Sequence, residues 1–255
     1  MENAKKDVAK SLDLNNLDLL EYIPYLLQDL FDMGTNPNSV LEVIKKHDII
    51  KSPHAKILDL GCGKGAVSIA IAKELGFKIY GVDWMAAFIE EAKKYAFKFG
   101  VSNLCRFEVG DIKDIVKTEI GCDLIIFGAI GQIFGDYKQT LSSLSRCIKN
   151  GGYLIIDDGY IDDNSDYSDE NYMKHCTLLK IINESGFILV EEKIENNVQD
   201  TNKSYFKLIK KRAEELKKRN PENALLFEDY VKSQETENYV LENKVKCAVF
   251  ILKKK

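Results

Sequence analysis

Residues Ile57 to Gly65 read ILDLGCGKG, and no other stretch restricts the possible folds as sharply. An apolar strand-type run, Ile57 to Leu60, is broken only by Asp59; glycines follow at Gly61, Gly63 and Gly65, and then a helix-periodic segment, Ala66 to Leu75. Strand, tight turn and helix start are therefore expected in immediate succession. Glycine tolerates positive φ and carries no side chain, so the backbone can turn sharply and let a ligand approach, with helix-start amides pointing toward it. The spacing differs from the dinucleotide fingerprint G-x-G-x-x-G because the third glycine comes one residue early, with Ala66 where that pattern takes Gly or Ala. A nicotinamide cofactor is therefore compatible with this stretch alone. Asp59 separates the alternatives, since a carboxylate buried in a strand needs a cationic or hydrogen-bonding partner, and a ligand ammonium would serve.

The rest of the chain alternates strand and helix patterns. Lys78 to Asp83 is a second strand ending on an acid that follows Gly61 by roughly the 20 residues expected of a carboxylate that binds ribose hydroxyls. Trp84, next to it, is placed to flank an adenine ring or simply to pack. Met85 to Phe99 is helical and stops at Gly100; Leu104 to Val109 is a third strand, followed by Gly110, Asp111 and Ile112. Asp111 alone reads equally well as a helix N-cap. Cys122 to Phe127 is the fourth strand, with the small residues Gly128 and Ala129 leading to Gln132 at its carboxyl end, where ligands bind in open α/β sheets. A helix over Asp136 to Ile148 stops at Asn150-Gly151-Gly152, and Tyr153 to Asp157 is the fifth strand. Residues 169 to 185 form another helix, Phe187 to Ile194 a sixth strand and Val245 to Leu252 the last. Between these two lies a charged helical insertion of about 202–241, broken at Pro221. The prediction is a doubly wound α/β sheet.

In order, these features resemble the class I S-adenosylmethionine-dependent methyltransferases, whose motif I runs hydrophobic-x-D-x-G-x-G-x-G. The resemblance covers about residues 38 to 195 and extends to the closing strand, which fits the family's reversed last strand. It implies a mostly parallel seven-stranded Rossmann-like sheet over 38–255, preceded by an N-terminal helical segment, 1–37, that either packs on the domain or covers the cofactor as a lid, or does both. It also implies that Asp59, Gly61, Gly63, Asp83, Trp84, Asp111, Ile112 and Gly128 bind S-adenosyl-L-methionine, with Asp111 on the adenine amino group. The N-terminal segment carries helix-type periodicity from Asn15 to Met33, with an Asn cap and a break at Pro24. Tyr22 and Tyr25 are the side chains expected to reach the cofactor site, and Tyr25, Gln132, Asp158 and Tyr160 are expected at the acceptor.

The implied reaction is in-line methyl transfer to a small molecule. A base is needed only if the nucleophile arrives protonated, and Asp158, Tyr160 and His175 are the candidates. Seven acids and no base between Asp157 and Glu170 favour an amine acceptor electrostatically. That stretch fails as a calcium loop because Tyr167 and Met173 occupy the glycine and bidentate-acid places. The formal charge of −4 gives no surplus for a nucleic acid backbone, and no Asn-Pro-Pro-Tyr type motif or Pro-Cys pair of base-modifying enzymes occurs. Six scattered cysteines and three histidines lack ligand spacing, so no metal is expected. No run approaches the roughly 18 apolar residues of a membrane span, and the start MENAKKDVAK lacks a leader's apolar core, so a cytoplasmic protein is expected. Two alternatives stand beside this reading: a nicotinamide-dependent oxidoreductase, which lacks its Tyr-x-x-x-Lys pair at Tyr167 to Asn171, and a non-catalytic S-adenosylmethionine-binding protein.

Overall fold

The computed structural model describes residues 2–12 and 14–255; Met1 and Asp13 of the expected 1–37 segment lie outside the described residues. In chain order the elements are α1 (Glu2–Ser11), a 3-10 turn (Leu17–Glu21), α2 (Ile23–Leu26), α3 (Pro37–Lys46), β1 (Ile57–Leu60), α4 (Ala66–Leu75), β2 (Ile79–Asp83) and α5 (Ala86–Lys98). Then follow β3 (Cys105–Val109), α6 (Ile112–Thr118), β4 (Cys122–Gly128), α7 (Tyr137–Cys147), β5 (Ile148–Tyr160), α8 (His175–Glu184) and β6 (Phe187–Ile194). The chain closes with α9 (Val198–Arg219), a 3-10 turn (Pro221–Asn223), α10 (Ala224–Asn243) and β7 (Lys246–Lys254).

The seven strands form one sheet in the order β3-β2-β1-β4-β5-β7-β6. β1 to β5 are parallel, while β7 runs antiparallel to both β5 and β6. A central parallel sheet must be covered on both faces, and its strands read accordingly as unbroken apolar runs. Along β4, Ile125 and Phe127 join the core under α7 and α8, whereas Leu124 and Ile126 join the core under α3 and α4. The strand order reverses between β1 and β4, which opens a crevice at their carboxyl ends.

Three boundaries differ from expectation. β5 starts at Ile148 rather than Tyr153, because the chain stays on the edge of β4 through the Asn150-Gly151-Gly152 turn with only a shift of register. The helix expected from residue 169 begins at His175. Upstream of it, Asp162, Ser165 and Asp169 each accept a hydrogen bond from the amide two residues on, a local pattern that competes with helix. The break expected at Pro24 falls at Tyr22, between the 3-10 turn and α2, because Pro24 sits in the first turn of α2, where a missing N–H is harmless.

The largest addition to the expected picture lies above the sheet. α1, the 17–30 segment and the insertion helices α9 and α10 share one apolar core, with Leu19, Ile23 and Leu26 packed among Ile209, Ala213, Leu216 and Phe227. Arg212 fixes this union by a two-pronged bond to Asp29 at 2.6 and 2.7 Å, and by a third bond to Glu215 at 2.8 Å. Segments that are about 180 residues apart in sequence thus build one cap, joined to the sheet through Met85 and Phe88.

Candidate active site

The glycine turn is shaped by close approach. Gly61 and Gly63 have φ of 68° and 52°, a left-handed conformation that favours glycine. A β-carbon at Gly61 would stand 2.4 Å from Ile130, and one at Gly63 would stand 2.9 Å from Met33 of the cap. The fold uses several of the turn's own amides ahead of the helix start. Gly61 and Cys62 donate to Val82 O at 2.8 and 3.0 Å, and Gly65 donates to Cys62 O. The Gly63 amide donates to Asp83 Oδ2 at 2.9 Å.

Asp83 therefore links the turn to the end of β2, taking a second amide from Met85 at 2.8 Å. Burial raises its pKa, and these amide bonds oppose the rise. Asp111 caps α6 by accepting from the Lys113 amide at 2.8 Å, and it also lines a cavity. Gly61, Asp83, Trp84, Asp111 and Ile112 all line one cavity of about 70 Å³, roofed by Ala4 and Val8 of α1 and by Leu12 just after it. Asp7 of α1 pairs with Lys113 across its edge. α1 is the element that sequence reasoning passed over; Val8, Ala9 and Leu12 were its signal, at helical spacing within a polar stretch.

Asp59 is 4% exposed and points to α4, where Ser68 Oγ donates to it at 2.6 Å. Among the described residues, its partner at Oδ2 is thus a serine hydroxyl. Burial pushes its pKa up to about 6, the serine bond opposing and the Asp83 charge adding. Asp59, Gly61, Gly63 and Gly128 line a second pocket of about 30 Å³, closed by Met33 and Thr35 of the cap. Gly128 is required there, since a β-carbon would fall 2.1 Å from Thr35 Oγ1.

On the other side of the crevice the carboxyl ends of β4 and β5 open into a cavity of about 950 Å³ beneath the cap. Successive residues of a strand face opposite sides. Asp157 accordingly lies on the Thr35 side and Asp158 on the Tyr137 side, and both reach the cavity. Burial pushes Asp157 up to about 7, with Glu195 and Asp158 adding repulsion, and pushes Asp158 up to about 6. Glu195 Oε1 is buried without a hydrogen-bond partner among the described residues. Altogether eight carboxylates and two lysines line this cavity, with Tyr172, Tyr205 and Tyr230 among them. Gln132 lies at its wall and donates to Asn171 O at 3.2 Å.

Four expected residues are elsewhere. Tyr160 is buried in the sheet core and donates to Glu192 at 2.5 Å, while His175 stacks on its ring and bonds the other Glu192 oxygen at 2.7 Å. That trio satisfies itself and is not part of the cavity's lining. Tyr25 turns outward, donating to Glu215 at 2.5 Å with Arg219 over its ring, and Tyr22 accepts from Asn223. Both tyrosines clamp the cap instead of entering the site. Conversely, Thr35, Glu195, Asp229 and Glu237 enter the lining from loops and helices with no motif.

The residues present suit S-adenosylmethionine: a carboxylate at the end of β2, an acid and an apolar residue after β3, and side-chain-free positions at Gly61, Gly63 and Gly128. A family model described as a methyltransferase domain matches residues 51–242. The chain is 31% identical over 108 residues to the protein YjhP of Escherichia coli, covering 42% of this chain and 43% of that one. It is 32% identical over 123 residues to sterol 24-C-methyltransferase ERG6A of Gibberella zeae, covering 46% and 32% respectively. The matched stretch thus spans less than half the length of these curated relatives. Among solved structures, a Geobacter sulfurreducens S-adenosylmethionine-dependent methyltransferase in complex with S-adenosyl-L-homocysteine superposes with a TM-score of 0.77, at 21% identity over 92% of this chain and 98% of that one. YjhP superposes with 0.75, at 21% identity over 93% and 100%. The nicotinamide alternative is set aside by the family match, and the chain belongs to the class I S-adenosylmethionine-dependent methyltransferases.

Proposed function

We propose that this protein transfers a methyl group from S-adenosylmethionine to a small molecule bearing an amine, held between the ends of β4 and β5 and the cap. The observation that carries this reading is the excess of carboxylates, eight against two lysines, around a cavity of about 950 Å³. A cavity of one sign with apolar walls concentrates ligands of the other. Bound S-adenosylmethionine supplies an electrophilic sulfonium methyl. Asp83 would accept hydrogen bonds from the ribose hydroxyls, Asp111 and Ile112 would receive the adenine with Trp84 beside it, and the glycine turn would admit the methionine portion.

An amine reaches the site mostly as its ammonium and must shed a proton before its lone pair can attack. A carboxylate with a pKa near 7 in a desolvated wall is matched to that task. Asp157 is so placed, with Asp158 and Glu195 beside it to hold the cation. The cap excludes water and aligns the nucleophile, effects worth roughly 7–11 kcal/mol in well-oriented systems. The 1–37 segment acts as a lid in this reading, because cavities of about 70 and 30 Å³ must widen to admit a nucleoside and its tail, small-ligand pockets being about 300 Å³ or more.

Thermal unfolding with S-adenosylhomocysteine, S-adenosylmethionine and NAD added separately tests the cofactor, a ligand at 100 times its Kd adding about 2.7 kcal/mol. Turnover is then followed as S-adenosylhomocysteine release with matched amine, alcohol and carboxylate acceptors. Amines should turn over and the others should not; turnover confined to alcohols or carboxylates would refute the amine assignment.

A further inference from the structure

Lys64 stands between the second and third glycines of the cofactor turn and borders the small pocket there, yet its side chain is wholly buried and its ammonium ends between α2 and α5. Its ammonium donates to Leu27 O at the end of α2 at 2.8 Å and pairs with Glu91 of α5 at 2.8 Å, with the Phe88 ring 5.8 Å away. Lysine is rarely buried to this degree unless paired, and breaking such a pair leaves an uncompensated buried charge. Both partners of the ammonium belong to the protein, one at the end of α2 and one on α5. Leu27, moreover, begins the stretch that closes both parts of the site: Leu27 and Leu30 line the acceptor cavity, and Met33 and Thr35 cover Gly63 and Gly128.

We infer that Lys64 is a positioning residue, a pivot that couples the cofactor turn to residues 27–35, so that a cofactor seated on the turn sets the cap over the acceptor cavity. The other anchor of the cap, the Asp7–Lys113 pair, is about a third exposed and is the end that swings to admit the cofactor. The pivot implies an order of events in which the cofactor binds first and the acceptor site is completed afterwards.

Hydrogen exchange of the full chain with and without S-adenosylhomocysteine tests the pivot without any acceptor. In the wild type the ligand should slow exchange about tenfold both in the glycine turn and in residues 14–33. Lys64→Met should keep the protection of the turn and lose that of the cap, with ligand affinity in titration calorimetry changed by less than about threefold. Lys64→Arg, which can still donate to Leu27 O and Glu91, should restore much of the cap response. If Lys64→Met does not fold, Glu91→Gln carries the test and should at least halve the cap response. An undiminished cap response in either variant, no cap response in the wild type, or loss of ligand binding in Lys64→Met would each overturn the pivot.

Discussion

The two sides of the crevice hold their carboxylates in opposite ways. On the β1–β2–β3 side, Asp83 accepts two backbone amides, Asp111 accepts one and Asp59 accepts a serine hydroxyl. On the β4–β5 side, Asp158 accepts the neighbouring Gly159 amide, Glu195 Oε1 has no partner among the described residues, and burial pushes Asp157 up to about 7 against the opposing effect of Thr35. The first side is pre-organised by its own backbone, as suits a cofactor of constant shape. The second keeps acceptor capacity in reserve, as suits a cation that arrives and gives up a proton. A buried acid without partners is a cost to the fold, and such costs gather where function requires them.

Replacing Asp83 should break the comparison most severely. Asp83→Ala removes two charge-assisted hydrogen bonds of about 1.5–3 kcal/mol each together with the ribose acceptors, so S-adenosylhomocysteine affinity in calorimetry should fall about 100-fold or more. An unchanged affinity would show that the cofactor lies elsewhere. Asp157→Asn should have the converse selectivity: turnover with amines should fall about 10- to 100-fold, while cofactor affinity stays within about twofold. Equal losses on both sides would erase the distinction.

The acidic side should also govern the pH profile. Asp157 and Asp158 titrate near 7 and 6 when folded against 3.8 as their ordinary value, so the folded chain binds more protons than the unfolded one in between. Stability should therefore fall as pH rises from about 4 to 7, the slope following the excess of bound protons. Amine turnover should rise over pH 6 to 8 as Asp157 ionises, in opposition to stability. Asp157→Asn should flatten both profiles, as urea unfolding and initial rates against pH would reveal. The smallest effect belongs to Asp7→Ala at the exposed anchor of α1, where such pairs contribute about 0–1 kcal/mol. Faster release of S-adenosylhomocysteine in stopped flow, with melting temperature nearly unchanged, is expected.

The cofactor side was largely legible in the chain because it is built from consecutive residues. The strand, the glycine turn and the helix that follows are dictated by local φ preferences and apolar periodicity, so Asp59, Gly61, Gly63, Asp83 and Asp111 could be placed before any tertiary contact was known. What Asp59 meets was not legible: Ser68 lies nine positions on, within an otherwise ordinary helix. Tyr25, Tyr160 and His175 were misplaced for a related reason. A tyrosine or histidine has the right chemistry for a site wherever it falls, but the partner that takes its hydrogen bond, Glu215 or Glu192, comes from another segment.

By itself, then, the sequence determined the order of strands and helices, the position of the glycine turn and the acids that end β2 and follow β3. These depend on backbone conformation and on the burial period of each element, which neighbouring residues control. Only the tertiary structure decided that residues 2–35 and 198–243 make one cap, that Lys64 reaches Leu27, and that eight carboxylates converge on one cavity. Those features are products of packing between segments far apart in the chain, where shape and burial choose among many partners that local pattern leaves equivalent.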